Sequence, residues 1–106
     1  MSPGIYFCRD VDKAKSAIVK TALSDHKRVR CLTISQLLGV ALSDDYSLPE
    51  GQYYYIESLT KVVGEPSKIT GIVQCEVEKM LLNAKVIVIC VPKDPTLRFD
   101  FPKIEG

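Results

Sequence analysis

Six consecutive apolar residues, Val86-Ile87-Val88-Ile89-Cys90-Val91, constrain this chain more than any other feature. Five of them are β-branched, and β-branched side chains are stiff at χ1 and pack well on a pleated surface. A half-buried strand alternates apolar and polar residues; an unbroken run has no polar face to offer water. The segment Lys85–Val91 therefore predicts a strand buried on both faces, in the interior of a sheet. It falls far short of the roughly 20 apolar residues that a membrane-spanning helix needs.

The other elements follow from their own patterns. Ile5-Tyr6-Phe7-Cys8 reads as a first strand. Asp10 offers a helix cap, and Val11, Ala14, Ile18 and Ala22 recur at helical spacing, with Val19 and Leu23 widening the stripe. That predicts an amphipathic helix over 11–24, with Ser24–Lys27 as the turn after it. Arg28–Ile34 reads as a second strand, followed by a short helix capped by Ser35 and running through Leu42, weakened by Gly39. Residues 43–51 are a loop, and Gln52–Ser58, with three consecutive tyrosines, is a third strand. Pro66 suits the first turn of the next helix. Its stripe is Ile69, Val73, Val77, Met80, Leu81 and Ala84, and Asn83 marks its end. After Lys85–Val91, Pro92 and Pro95 interrupt the chain, and Leu97–Phe101 alternates as a final edge strand would.

The whole chain, 1–106, is thus read as one α/β domain with two long helices and one short one on a mixed sheet of four to five strands. The β-α-β-β-α-β order favours a two-layer, ferredoxin-like (α+β) sandwich with both long helices on one face. The unbroken run at Val86–Val91 favours the alternative, a truncated doubly wound sheet that is parallel and covered on both sides.

Composition narrows the function. Fourteen Lys and Arg face thirteen Asp and Glu, so the excess of basic charge that DNA binders use to neutralise phosphates is absent. No DNA partner, membrane partner or secretory signal is expected, and the location is expected to be cytoplasmic. Cys8, Cys31, Cys75 and Cys90 are widely spaced, with one histidine in the chain to join them. Zinc sites cluster their ligands, so the cysteines are expected to be reduced and buried, and no metal or cofactor is expected. Asp44, Asp45 and Glu50 lack the alternating oxygen ligands of a calcium loop.

Three groups of residues carry candidate chemistry. In open parallel sheets, ligands sit beyond the carboxyl ends of the strands; here that position gathers Cys8, Arg9, Asp10, Ser35 and Lys93, although Arg9–Val11 supplies no glycine for a phosphate cradle. The run His26-Lys27-Arg28-Val29-Arg30 offers Lys27, Arg28 and Arg30 as contacts to phosphate or to an acidic partner. Strand alternation places Tyr53 and Tyr55 on one face, with Leu97, Phe99 and Phe101 as a second aromatic group; exposed, they would form a docking or base-stacking surface. Residues that catalysis needs are scarce and poorly grouped. The expectation is therefore a small, non-enzymatic binding or regulatory protein that acts through protein–protein contact and self-associates as a homodimer. The alternatives are a single-stranded RNA-binding module using the tyrosine face and the basic run, and a small-molecule or nucleotide site at the carboxyl ends of the strands.

Overall fold

In the computed structural model, residues 1–41, 51–58, 64–93 and 96–104 are described, the side chains of 40 and 41 excepted. The order of elements is β1 (Gly4–Cys8), α1 (Val11–Ser24), β2 (Val29–Thr33), α2 (Ile34–Ala41), β3 (Tyr53–Glu57), α3 (Pro66–Met80) and β4 (Val86–Cys90). The four strands form one sheet in the order β1-β4-β3-β2, and every pairing is parallel.

The α/β class stands, but the ferredoxin-like order does not describe this sheet. Neither antiparallel pairing nor a two-layer arrangement is present among the described residues. Instead, α1 lies on one face and α2 and α3 on the other. On the first face Ala14, Ile18 and Ala22 pack against Tyr53, Tyr55, Val86, Val88, Cys8 and Cys90. On the second, Ile34, Leu37, Ile69, Val73, Val77 and Met80 cover Tyr54, Ile56, Ile87 and Ile89. The physical reason is visible in β4: all five of its residues are buried, so it needs apolar cover above and below. The parallel sheet covered on both sides is the arrangement that the run at Val86–Val91 favoured.

Local chemistry sets the element ends. Asp10 caps α1 by accepting from the Lys13 amide. The helix closes with His26 in the left-handed region (φ 54°), where its amide donates to the Leu23 carbonyl and that of Lys27 donates to the Ala22 carbonyl. This is a Schellman closure carried by histidine where glycine is usual. The short helix α2 is capped by Thr33, not Ser35: the Gln36 amide donates to Thr33 Oγ1 and the Thr33 amide to Gln36 Oε1. The threonine–glutamine spacing makes a reciprocal capping box, which a serine two residues later cannot form with Gln36.

The expected final edge strand over 97–101 is not formed. Leu97 and Phe99 instead bury their side chains in the α2–α3 face, where Phe99 meets Phe7 and Phe101 stacks on Phe99. Pairing with the edge of β1 begins later: the Phe7 amide donates to the Pro102 carbonyl, and the Ile104 amide to the Phe7 carbonyl. Val19 and Leu23, expected to widen the buried stripe of α1, face outward. Two small residues, Ala14 and Ala22, hold the helix close to the sheet, leaving the flank of the stripe in water.

Candidate functional site

The residues at the carboxyl ends of β1 and β4 are occupied with holding the fold. Cys8 is buried and its thiol donates to the Asp10 carbonyl. Arg9 donates Nη1 to the Val91 carbonyl and Nη2 to the Leu97 carbonyl, with its guanidinium 5.2 Å from the centre of the Phe7 ring. It thereby clamps the C-terminal segment to β4. Asp10 is the cap of α1, Ser35 sits exposed in the first turn of α2, and Lys93 is exposed. None of these five residues lines the cleft of Lys27, Arg28 and Arg30 described below. The loop bearing Asp44, Asp45 and Glu50 lies outside the described residues.

The aromatic docking surface is not a surface. Tyr53 is 3% exposed and Tyr55 2%, both sealed beneath α1 of their own chain. The expected alternation holds, with Tyr53 and Tyr55 on one face and Tyr54 on the other. What differs is that β3 is an interior strand with a helix layer on each side. The hydroxyls are satisfied at the ends of the sheet. Tyr53 donates to Asp25 Oδ2 at 2.8 Å and Tyr55 to Glu57 Oε2 at 2.8 Å. Burial, and then donation to Glu57, raises the Tyr55 phenol well above its ordinary range. Asp25 also accepts from Lys85 Nζ at 2.9 Å; that bond, followed by the one from Tyr53, lowers its carboxyl. Leu97 and Phe99 are buried in the core and Phe101 half-buried against it.

The cysteines divide in two. Cys8 and Cys90 are buried partners in the β1–β4 register, while Cys31 and Cys75 are exposed, contrary to the expectation that all would be buried. Burial pushes the Cys90 thiol up to about 11. Cys31 faces out because β2 is an edge strand.

The basic run is where the structure gathers function-bearing groups. Lys27, Arg28 and Arg30 line a cleft of about 710 Å³ at the amino ends of β2 and β3. Its opposite wall is the last turns of α3, with Glu76, Lys79 and Met80, and Asn83 just beyond them; Gly51, Gln52 and Tyr54 complete it. The sequence signal for Lys79 and Gln52 was nil, because only the topology brings the end of α3 beside the start of β2.

Each wall is built locally. The Schellman closure turns the chain sharply after α1, so Lys27 and Arg28 leave the helix toward the cleft rather than along its axis. Gly51 permits close approach: a Cβ there would stand 2.8 Å from Arg30 Cγ and 3.5 Å from the Tyr54 hydroxyl oxygen. Among the described residues, four cations thus share the cleft with one carboxylate. Glu76, its side chain 13% exposed, pairs with Lys79 at 3.4 Å. Among the described residues no carboxylate pairs with Lys27, Arg28 or Arg30. The C-terminal end of α3 contributes an opposing partial charge of only about half an elementary charge, so the cleft attracts anions. Among the described residues, no donor reaches Gln52 Oε1, which is buried.

Among the described residues, no group of three or more His, Cys, Asp or Glu side chains is placed to hold a metal ion, and no helix is long and apolar enough to cross a membrane. Comparison with protein-family models, with curated proteins and with solved structures gives no match for this chain.

Proposed function

We propose that this protein is a binding module for a phosphate-bearing ligand, which it holds in the cleft between the amino end of β2 and the last turns of α3. The observation that carries this reading is the meeting of Lys27, Arg28 and Arg30 with Lys79 across a cavity of about 710 Å³. Cavities of about 300–1,000 Å³ suit small organic ligands, and Lys27, Arg28 and Arg30, which no described carboxylate pairs, leave their charge for an incoming anion. Arginine recognises phosphate by two parallel hydrogen bonds, and two arginines on one short segment fix its orientation.

A docking function based on Tyr53, Tyr55, Leu97 and Phe99 would require those side chains to leave the core. The single-stranded RNA reading loses its stacking platform for the same reason. What survives of both is the basic run, now part of a cavity rather than of an open face.

Calorimetric titration with inorganic pyrophosphate tests the proposal. Binding should weaken as salt is raised, because the attraction is electrostatic. In an Arg28→Ala/Arg30→Ala/Lys79→Ala variant, affinity should fall at least about tenfold, given that each charge-assisted hydrogen bond contributes on the order of 1.5–3 kcal/mol. Equal affinity in the variant and the wild type would defeat the reading.

A further inference from the structure

We propose that Cys8 and Cys90 form a site of reversible oxidation, at which a hydroperoxide converts the two thiols into a disulfide joining β1 to β4 inside the fold. The pair lies at the carboxyl ends of its strands, away from the basic cleft, and does not depend on what the cleft binds.

The strand register brings the two sulfurs together. Cys8 and Cys90 are direct partners in the parallel ladder, each the last residue of its strand. Both side chains belong to the cluster beneath α1, so they rise from the same face of the sheet. Neighbouring strands lie about 4.7–4.9 Å apart, and disulfides usually join Cα atoms about 4.4–6.8 Å apart. Two free thiols therefore stand where a bond can close without a large backbone movement. The other cysteines are placed differently. Cys31 partners Tyr55 on β2, and Cys75 lies on α3, which covers the opposite face.

Strain makes such a bond reversible. Side chains standing abreast on neighbouring strands keep roughly the strand spacing of about 4.8 Å, whereas a disulfide draws its Cβ atoms to about 3.5–4.5 Å. Closing the bond pinches the sheet, and the last pair of a ladder gives way most easily. Strained disulfides are the more oxidising, labile kind, which a dithiol reduces again.

Exposure sets the order of events. Cys8 keeps 7% of its surface and Cys90 none. Burial pushes the Cys90 thiol up to about 11 and so keeps its proton in place, which leaves the first attack to Cys8. The Cys8 sulfur attacks the hydroperoxide, the O–O bond breaks, and water or an alcohol leaves a sulfenic acid behind. The Cys90 sulfur then attacks the Cys8 sulfur. The S–S bond forms, the S–O bond breaks, and the departing hydroxide takes the Cys90 proton to become water. Two electrons have passed from the two thiols to one peroxide bond.

The test is oxidation of the Cys31→Ser/Cys75→Ser chain with hydrogen peroxide in the absence of denaturant, followed by acid quenching, alkylation and mass analysis with peptide mapping. The mass should fall by two hydrogen atoms, both thiols should vanish in step, and a cross-linked peptide pair containing Cys8 and Cys90 should appear. Dithiothreitol should restore both thiols. If the double variant fails to fold, peptide mapping of the oxidised wild-type chain decides in its place, since the same cross-linked pair identifies the bond there. Oxygen added to Cys8 with Cys90 still free would overturn the proposal. So would a bond between two copies of the chain, or thiols at 8 and 90 left intact once Cys31 and Cys75 of the wild type are fully oxidised.

Discussion

Gly51 lies flush against the side chain of Arg30: a Cβ on residue 51 would be 2.8 Å from Arg30 Cγ, closer than real side-chain carbons come. The clash would fall near the base of the arginine, not at its mobile tip, so the guanidinium could not simply swing aside. Gly51→Ala should therefore displace Arg30 and weaken pyrophosphate binding about threefold to tenfold, with a stability loss of about 1–3 kcal/mol as for other overpacked sites. Titration of the variant alongside urea unfolding checks both numbers, and unchanged affinity would show that Arg30 is not held where the ligand sits.

His26 occupies the left-handed conformation that closes α1. A side chain with a Cβ carries a cost of roughly 1–2 kcal/mol there, partly returned in glycine by its greater freedom when unfolded. His26→Gly should raise the urea midpoint by the equivalent of up to about 1 kcal/mol. A lower midpoint would mean that the imidazole makes a favourable interaction that offsets the strain.

Asp25 links α1 to the amino end of the sheet, since it accepts from both Lys85 and Tyr53. Its folded carboxyl lies below the ordinary value because of those two bonds. The stability it contributes is complete above the unfolded carboxylate range and is lost as pH falls through the lower folded value. Asp25→Asn should accordingly flatten the acid limb of the stability profile, as measured by thermal unfolding between pH 2 and 6 on the order of this titration. A variant profile parallel to that of the wild type would contradict the assignment.

The two classes of cysteine predict a labelling pattern. Cys31 and Cys75 should react with a thiol reagent in the native protein at neutral pH, and Cys8 and Cys90 only after unfolding. Because the Cys90 thiol is pushed up to about 11, the folded state keeps its proton longer than the unfolded chain does. Its share of stability is full below the unfolded thiol value and declines as pH rises through the folded one. Four rapidly labelled thiols in the native protein would show that β1 and β4 are not sealed under α1.

Local structure was legible in the sequence; the way strands meet was not. The helical spacing of Val11, Ala14, Ile18 and Ala22 matches α1, which spans Val11–Ser24, and Pro66 opens α3 as proposed. The interior position of β4 followed from its β-branched run, and β4 does lie between β1 and β3. Strand direction was marked only at β4, whose unbroken apolar run favours a parallel sheet, while the β-α-β-β-α-β order of the elements favoured the sandwich. Hence the ferredoxin-like order was favoured where a parallel sheet is found, and Tyr53 and Tyr55 were expected in the open. Their alternation was correct, but the second helix layer that buries them depends on sheet order. For the site, the run from Lys27 to Arg30 was visible as a charge cluster. Lys79, Glu76 and Gln52 were not, since they join it only when the end of α3 packs beside the start of β2.

Chemical-shift mapping of the isotope-labelled protein during titration with pyrophosphate tests the central claim most directly. The amides of 27–30, 51–54 and 76–83 should shift together and saturate on a single curve, whereas those of Cys8–Asp10 and Ser35 should stay in place. Shifts concentrated at Cys8–Asp10, or none at saturating pyrophosphate, would contradict a phosphate site between β2 and α3.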